Sequence, residues 1–552
     1  MKTKLLWVLI VLAQTFYAQE ITGSWKGDLD MQGMKLPLIL TVKKEKDRYI
    51  STAGSPKQSD KEIPVSKTEF VNNELIFEIE GINASYKGQF KTDHFEGIFT
   101  QNAFSGPLNL YKNDPNKTGI NDAQDLKLKD IGTRAINTSK IDDYLNYIIQ
   151  NKQGIGSVSI FRNGKEIYQK NFGQEQLPDV KWNADTEYQI GSVSKLITAV
   201  MIMQQVEKGK INLNDRLSKY YPDLPNAGKI TLKSIMNHTS GLGDYVGQNY
   251  QWLFGKPVGD QVILDEIKKQ GVSFQPGEKT RYSNSGYYLL SRILETVAQK
   301  PYNVLLKESI TDKARMKNTF SVLDHPENVF KPYENNTGKW TEMQDFDFHN
   351  CIGLGDISST PNDMNLFINA LFNHQFVKKE TLDTMLPKSS KNFGLGMMAV
   401  PFYNKVSFGH GGDTAGTHSL VAYSPAENYS VAVMINGEKM PHNDLSIGIL
   451  NIIYDQKSEY PKFSEVKKIS GKELEKYPGE YTSADIPLGL KIFIKDETLF
   501  AQGTGQAAFP LEYMEKDQFQ YEKADLKIIF IPEKNGLQMI QRGTTFNFQR
   551  NK

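Results

Sequence analysis

Strict alternation of apolar and polar positions marks both ends of the chain. Leu36, Leu38, Leu40 and Val42 occupy every second position of one run, and Leu75, Phe77 and Ile79 of another. A period of two puts such side chains on one face of a β-strand. Gly81, Gly88, Gly97 and Gly106 punctuate the segment as turns would, so residues 20–112 are predicted to form a small barrel or sandwich. The alternation returns at Leu490, Ile492 and Ile494, at Leu526, Ile528 and Phe530, and at Phe546 and Phe548. Residues 470–552 are therefore predicted to be a second all-β module, opened by Gly479-Glu480-Tyr481.

The middle of the chain has a different texture. Residues 113–135 are polar and irregular, with Asp114-Pro115 and Gly119, and read as a linker. From residue 136 to about 455, helical patterns alternate with short apolar runs, which implies a mixed α/β or α+β domain. Helix formers run from Leu196 to Val206 and from Tyr287 to Val297; Leu420 to Tyr423 and Val431 to Ile435 suit strands.

The first residues read as an export signal. Lys2 and Lys4 precede the apolar run Leu5 to Ala13, and Ala18 offers a small residue before a cut ahead of Gln19, although Phe16 is a poor occupant of the position two before it. The run falls short of the ~20 residues that span a bilayer. A signal over 1–18, a periplasmic or secreted product and no integral membrane span after cleavage are expected.

Charge and cysteine content narrow the function. Lys plus Arg (65) balance Asp plus Glu (64), so no overall field recruits nucleic acid. Cys351 is the only cysteine; it has no disulfide partner and is expected to be a small buried residue.

Three stretches carry chemistry. Ser192 and Lys195 in Gly191-Ser192-Val193-Ser194-Lys195 sit where the Leu196–Val206 helix begins. Three apart on a helix, they share a face. A serine hydroxyl is a weak nucleophile at neutral pH, and a nearby amine can take its proton if burial lowers the amine's pKa. The bland reading is an N-cap serine followed by a solvated lysine. Ser464-Glu465-Val466-Lys467 has the same spacing and is assigned nothing.

Tyr282-Ser283-Asn284 lies on a Pro/Gly-rich loop ahead of a second helix. A phenol held there can relay a proton; a packed tyrosine with a turn asparagine is the alternative. Phe408-Gly409-His410-Gly411-Gly412-Asp413 looks like a strand edge whose glycines let a substrate approach the backbone. A backbone N–H here, paired with that of Ser192, could bind an oxyanion, and His410 would reach the same space.

The order Ser-x-x-Lys, Tyr-x-Asn, His-Gly-Gly resembles the class C β-lactamase-like serine hydrolases, the CubicO group. That family includes β-lactamases, penicillin-binding D-alanyl-D-alanine peptidases, D-aminopeptidases and esterases. Met236-Asn237-His238-Thr239-Ser240-Gly241-Leu242, Phe274-Gln275-Pro276-Gly277, Met316-Lys317-Asn318-Thr319 and Gly353 through Thr360 support it in order, so the resemblance spans about 136–455. It implies a multidomain α+β fold: a central transpeptidase-like domain, an antiparallel sheet flanked by helices plus a helical region closing the cleft. It implies an acyl-enzyme on Ser192, with Lys195 and Tyr282 sharing the base role. Asn284 would orient the substrate amide, and the N–H groups of Ser192 and Asp413 would form the oxyanion hole beside His410, Gly411 and Gly412. No metal or organic cofactor is implied.

The expected activity is hydrolysis of a small amide or ester bond, in a small-molecule or peptide substrate that includes D-amino-acid peptides. β-Lactamases of the family usually carry Lys-Thr-Gly at the third stretch, where this chain has His410-Gly411-Gly412. An ammonium that grips a carboxylate is replaced by an imidazole largely neutral at pH 7, which argues against efficient β-lactam hydrolysis. A competing reading is a sensor or binding protein that acylates without turnover. Gly23-Ser24-Trp25 resembles the Gly-x-Trp opening of lipocalin-like barrels. The two β modules would then space, stabilise or oligomerise the catalytic domain, or hold an apolar ligand.

Overall fold

The N-terminal alternation forms strands, but the described glycines Gly88, Gly97 and Gly106 lie within them rather than at turns. In this computed structural model the described residues are 21–551, apart from 32–33, 47, 55–62, 81–83, 102–103, 113–127, 178, 247–255, 337–338, 344–345, 389–392, 415, 458, 464–465, 484–485, 487, 507 and 542–543. The export signal, Gly81, Ser464 and the Asp114-Pro115 part of the linker lie outside the described residues. Gly88 and Gly97 sit inside strands and face each other across them. The Tyr86 ring lies over both: a Cβ on Gly97 would meet its Cζ at 2.6 Å, and one on Gly88 its hydroxyl at 2.2 Å. Gly106 likewise pairs with Phe99 within the sheet. Gly88 and Gly97 make room for an aromatic ring across the strands.

Nine antiparallel strands between Gly23 and Lys112 form one curled sheet. The first, Gly23–Met31, pairs with the last, Phe104–Lys112. Ile63–Pro64 and Lys67–Val71 are the two ends of the sheet. The module is therefore a curled half-barrel, which bears out the barrel-like β module expected but not a full lipocalin-like barrel. Leu38, Leu40, Val42, Leu75, Phe77 and Ile79 are buried as their period predicts, and Trp25 packs edge-on against Phe90 and Phe95.

A separate compact unit holds everything from residue 123 onward. Its helix α1 (Thr138–Gln150) precedes strands β1 (Gly154–Arg162) and β2 (Lys165–Phe172). Helices α2 (Val193–Glu207), α3 (Asn284–Ala298) and α4 (Pro361–Phe372) follow. Four strands come next: β3 (Met398–Phe402), β4 (Lys405–Asp413), β5 (His418–Ser424) and β6 (Tyr429–Glu438), and then α5 (His442–Ile453). The strands run antiparallel in the order β2-β1-β6-β5-β4-β3. Both faces are covered. Val431, Val433 and Ile435 of β6 pack with Ile141, Leu145 and Ile148 of α1 and with Leu445 and Ile449 of α5. Ala432 and Met434 join the opposite core with α2 and α4. Covered faces explain why β6 reads as an unbroken apolar run. The third chemical stretch lies on β4: Phe408 and Gly409 pair on both sides, whereas His410 to Asp413 pair only with β5, so this end of the strand is the sheet edge expected.

The C-terminal alternation forms eight strands that close into a barrel, Gly479–Ser483 pairing with Thr544–Arg550. Leu490, Ile492, Leu499, Leu511, Phe519, Ile528, Phe530 and Leu537 are buried together in its core. The barrel is filled by its own side chains, which leaves the lipocalin-like ligand pocket without support here. Ile494 departs from its predicted face: it is 37% exposed, near the hairpin end of its strand. Among the described residues no helix is long and apolar enough to cross a membrane.

A filled barrel is sensitive to truncation. Phe519→Ala is expected to destabilise the barrel by about 3–5 kcal/mol in denaturant unfolding; a loss under about 1 kcal/mol would indicate spare interior space.

Candidate active site

Helix α2 is buried on all sides, from Val193 to Gln205. A helix apolar all round belongs inside a core, and this one carries Lys195 in with it. Ser192 stands at its N-terminus but its side chain makes no capping bond. Instead Ser192 Oγ lies 2.9 Å from Lys195 Nζ. The lysine is fully buried. Its amine donates to the Leu354 carbonyl at 3.0 Å. Burial lowers its pKa to about 7, with Asp244 pulling weakly the other way. The bland reading of a solvated lysine does not hold.

Tyr282 enters from the loop ahead of α3. Its ring lies 4.9 Å below Lys195 Nζ and stacks on His238 with centroids 4.4 Å apart. Burial raises the affinity of the phenol for its proton, and the nearby Ser192 hydroxyl draws it back. The Tyr282 hydroxyl has no hydrogen-bond partner that meets normal geometry among the described residues. Asn284 begins α3 and its Nδ2 donates to Asp244 Oδ2 at 2.9 Å.

The third stretch closes the site from β4. His410 is buried, donates through Nδ1 to the Gly411 carbonyl, and is lowered to about 4 by burial. It is therefore a neutral imidazole at pH 7. The glycines have separate reasons. A Cβ on Gly409 would strike the Val421 carbonyl at 1.9 Å, and one on Gly412 the Ile190 carbonyl at 2.0 Å. Only Gly411 has open room, its nearest neighbour being the Ser419 carbonyl at 3.7 Å. Most of the glycine content thus serves close backbone packing rather than substrate approach. Gly191 has φ +50, and a Cβ there would come within 3.0 Å of the Asp413 backbone nitrogen. The turn before Ser192 is thereby pressed against the end of β4, and Ser419 Oγ adds a bond to the Ile190 carbonyl at 2.7 Å.

Several contributors had no role assigned from sequence. His238 takes up a left-handed backbone (φ 60) and accepts a bond from the Ser283 N–H at 3.2 Å through Nδ1. Burial holds its pKa well below the ordinary value. Asp356 accepts from Gly353 N–H at 2.7 Å and from Ser321 Oγ at 2.6 Å; burial raises it to about 6. It braces the turn whose Leu354 carbonyl holds Lys195. Both residues fall in phrases that supported the resemblance, which was the available signal. Cys351 is buried, as expected, and burial pushes its thiol up to about 12.

A cavity of about 650 Å³ opens between Gln189, just before the Ser192 turn, and Thr414, just past Asp413; Phe330, Phe346, Phe348 and His349 help line it. Among the described residues, Asp413, His418 and His442 are the one group of three whose metal-capable atoms all lie within 4.8 Å of one another.

Known proteins agree with this architecture. The chain is 29% identical over 316 residues to a putative penicillin-binding protein, PbpX, of Bacillus subtilis, covering 56% of this chain and 76% of that one. It is 28% identical over 293 residues to the teichoic acid D-alanine hydrolase of Staphylococcus aureus, covering 51% and 71%. In fold it is similar to the D-amino acid amidase of Ochrobactrum anthropi (TM-score 0.53, 21% identity, 58% and 99% covered). An octameric penicillin-binding protein homologue of Pyrococcus abyssi is similar too (TM-score 0.52, 20% identity, 75% and 99% covered). The β-lactamase family matches residues 146–452, more than half of the chain; the chain belongs to the β-lactamase family of serine hydrolases.

Proposed function

We propose that the protein is an exported serine hydrolase that cleaves a small ester or amide bond next to a D-amino acid through an acyl-enzyme on Ser192. The observation that carries this reading is the buried Lys195 amine, 2.9 Å from Ser192 Oγ and lowered to about 7. An amine half neutral at pH 7 is matched to general-base work. Lys195 Nζ takes the Ser192 proton as Oγ attacks the substrate carbonyl carbon. The N–H groups of Ser192 and Asp413 bind the oxygen that becomes negative. The leaving alcohol or amine receives its proton by way of Tyr282, and a water then releases the acid from Ser192. Asn284, steadied by Asp244, orients the substrate amide.

The D-amino-acid part of the proposal draws on the relatives, named as a D-alanine hydrolase and a D-amino acid amidase. Export rests on Lys2, Lys4 and the apolar run that follows. A β-lactamase reading is weaker, because a neutral His410 replaces a carboxylate-gripping ammonium.

Ser192→Ala is expected to remove hydrolysis of a D-alanyl ester by roughly 10³-fold or more and to abolish any acyl mass increase on the protein. Equal rates for variant and wild type would sink the proposal. A stable adduct on wild-type Ser192 without product release would instead favour the acylating sensor.

The pH profile follows from Lys195. The amine must be neutral, so kcat/KM should fall as pH drops through about 7. Stability moves the same way, over a higher pH range. The unfolded lysine keeps its proton to about 10.5 and the folded one only to about 7, so burial penalises the folded state most below pH 7, and the penalty fades as pH rises to 10.5. Lys195→Met is expected to lower activity roughly 10²–10⁴-fold. The same variant should gain on the order of a few kcal/mol in unfolding free energy at pH 7, with the gain shrinking at higher pH. A variant less stable than wild type at pH 7 would contradict the strained lysine.

A further inference from the structure

The ends of three strands and one helix meet beside the Ser192 turn in a box of charged side chains. Asp413 ends β4, His418 opens β5 opposite it, Glu438 ends β6 and His442 opens α5. His418 Nδ1 lies 2.6 Å from Asp413 Oδ1, and its Nε2 lies 3.0 Å from Glu438 Oε1. His442 spans the same two carboxylates, at 3.1 Å from Glu438 Oε2 and 3.9 Å from Asp413 Oδ1. The two imidazoles stack with centroids 3.9 Å apart and planes 8° from parallel.

A metal does not suit this arrangement. Metal-bound imidazoles aim their lone pairs at one point about 2.1 Å away, whereas stacked rings send theirs out in parallel. His418 Nδ1 is hydrogen-bonded to Asp413, while Nε2 lies 3.0 Å from Glu438 Oε1 without hydrogen-bond geometry, so both nitrogens have a carboxylate beside them and Glu438 acts on the ring through its charge. Burial opposes a charge on His418, but Asp413 and Glu438 outweigh burial and raise it to about 9.

The box reaches out of the catalytic sheet. Lys523, on the turn Glu522–Ala524 between two strands of the C-terminal barrel, lies 2.7 Å from Glu438 Oε1. Glu438 is only 4% exposed, so this contact is little screened by water. A second buried pair runs alongside: Lys439, next to Glu438, lies 3.0 Å from Glu512 of the barrel.

We propose that the barrel supplies a positioning residue to the hydrolase: Lys523, acting through Glu438 and His418, fixes the Asp413 end of β4 against the Ser192 turn. This rests on the Ser192 reading above, in which the Asp413 N–H faces the oxyanion. The links run through the buried Glu438 and the largely buried His418, where ion pairs are little screened, out to Lys523 and Asp413 at the surface. Lys523 touches no reacting atom. Its ammonium adds to the hold of His418 and His442 on the Glu438 carboxylate, Glu438 with Asp413 keeps His418 charged, and His418 holds Asp413.

The test compares the full chain with Lys523→Met and Lys523→Arg, both at a position 40% exposed where neither side chain disturbs a core. Two readouts are taken: amide hydrogen exchange over residues 405–424, and steady-state hydrolysis of a D-alanyl ester. Lys523→Met is expected to speed exchange at the Asp413 end of β4. It should lower kcat by about 5–50-fold, less than the ~10²–10³ for removing an oxyanion donor outright, with KM little changed. Lys523→Arg should restore both. Unchanged exchange, an unchanged kcat, or equal losses in the two variants overturns the proposal, as does hydrolysis that a chelator abolishes and Zn²⁺ restores. If Ser192→Ala hydrolyses as fast as wild type, the Ser192 reading falls by itself, and the exchange data alone decide whether Lys523 fixes the strand.

Discussion

One buried amine sets the terms for the rest of the molecule. Lys195 is held with no exposed surface and, among the described residues, two polar anchors, the Ser192 hydroxyl and the Leu354 carbonyl. Water would return its pKa to the ordinary lysine range, so the site depends on walls that exclude water. Tyr282 and Tyr287 cover the amine from one side, and the fully buried α2 supplies the rest. The same burial keeps His238 and His410 neutral and Tyr282 protonated. Among these groups the formal charge at neutral pH is thus confined to the half-protonated Lys195, with Asp244 nearby bonded to Asn284. Such a centre favours substrates that are uncharged at the reacting bond.

The fold provides those walls by layering. An α2 helix that is apolar all round needs cover on every side. It has the sheet on one flank and α3 on another, with the 353–356 turn over Lys195. The sheet in turn needs α1 and α5 behind it to bury its second face. Polar groups carried inside are satisfied locally: Thr198 Oγ1 on α2 bonds to Tyr302 and to the Gly353 carbonyl, each at 2.7 Å. A group left unpaired at that depth would be expensive.

Much of this was legible in the chain. Period-two runs located strands at both ends, and the helices after Ser192 and Asn284 followed from their apolar stretches. The serine, lysine and tyrosine were found because three distant phrases occur in one order. What the sequence did not disclose depends on contacts between segments far apart. Gly88 and Gly97 look like turns until the Tyr86 ring is seen to need their space. The N-terminal sheet looks like a barrel because closure is a matter of the last pair of strands, which no local pattern encodes. His238 and Asp356 act by holding other residues, so their side chains carried no chemical label. The His418–Glu438–Lys523 contacts join strand ends to a barrel turn, and each member in isolation reads as an ordinary surface residue.

The charged box and the weakly charged centre are two sides of one strand. His410 points from β4 into the buried site, while Asp413 at the strand's end meets solvent and the two imidazoles. A bare carboxylate at 413 would act through space on both proton-handling neighbours, since its charge raises the proton affinity of His410 and of Tyr282. Pairing it with a charged His418 cancels most of that field at a distance, because the opposite charges lie 2.6 Å apart and are seen from the centre as a dipole. The brace can therefore use strong ionic contacts without imposing their charge on the amine. That separation, with ions outside β4 and neutral groups inside it, lets one short strand be rigidly held and still border a site whose chemistry relies on a neutral lysine.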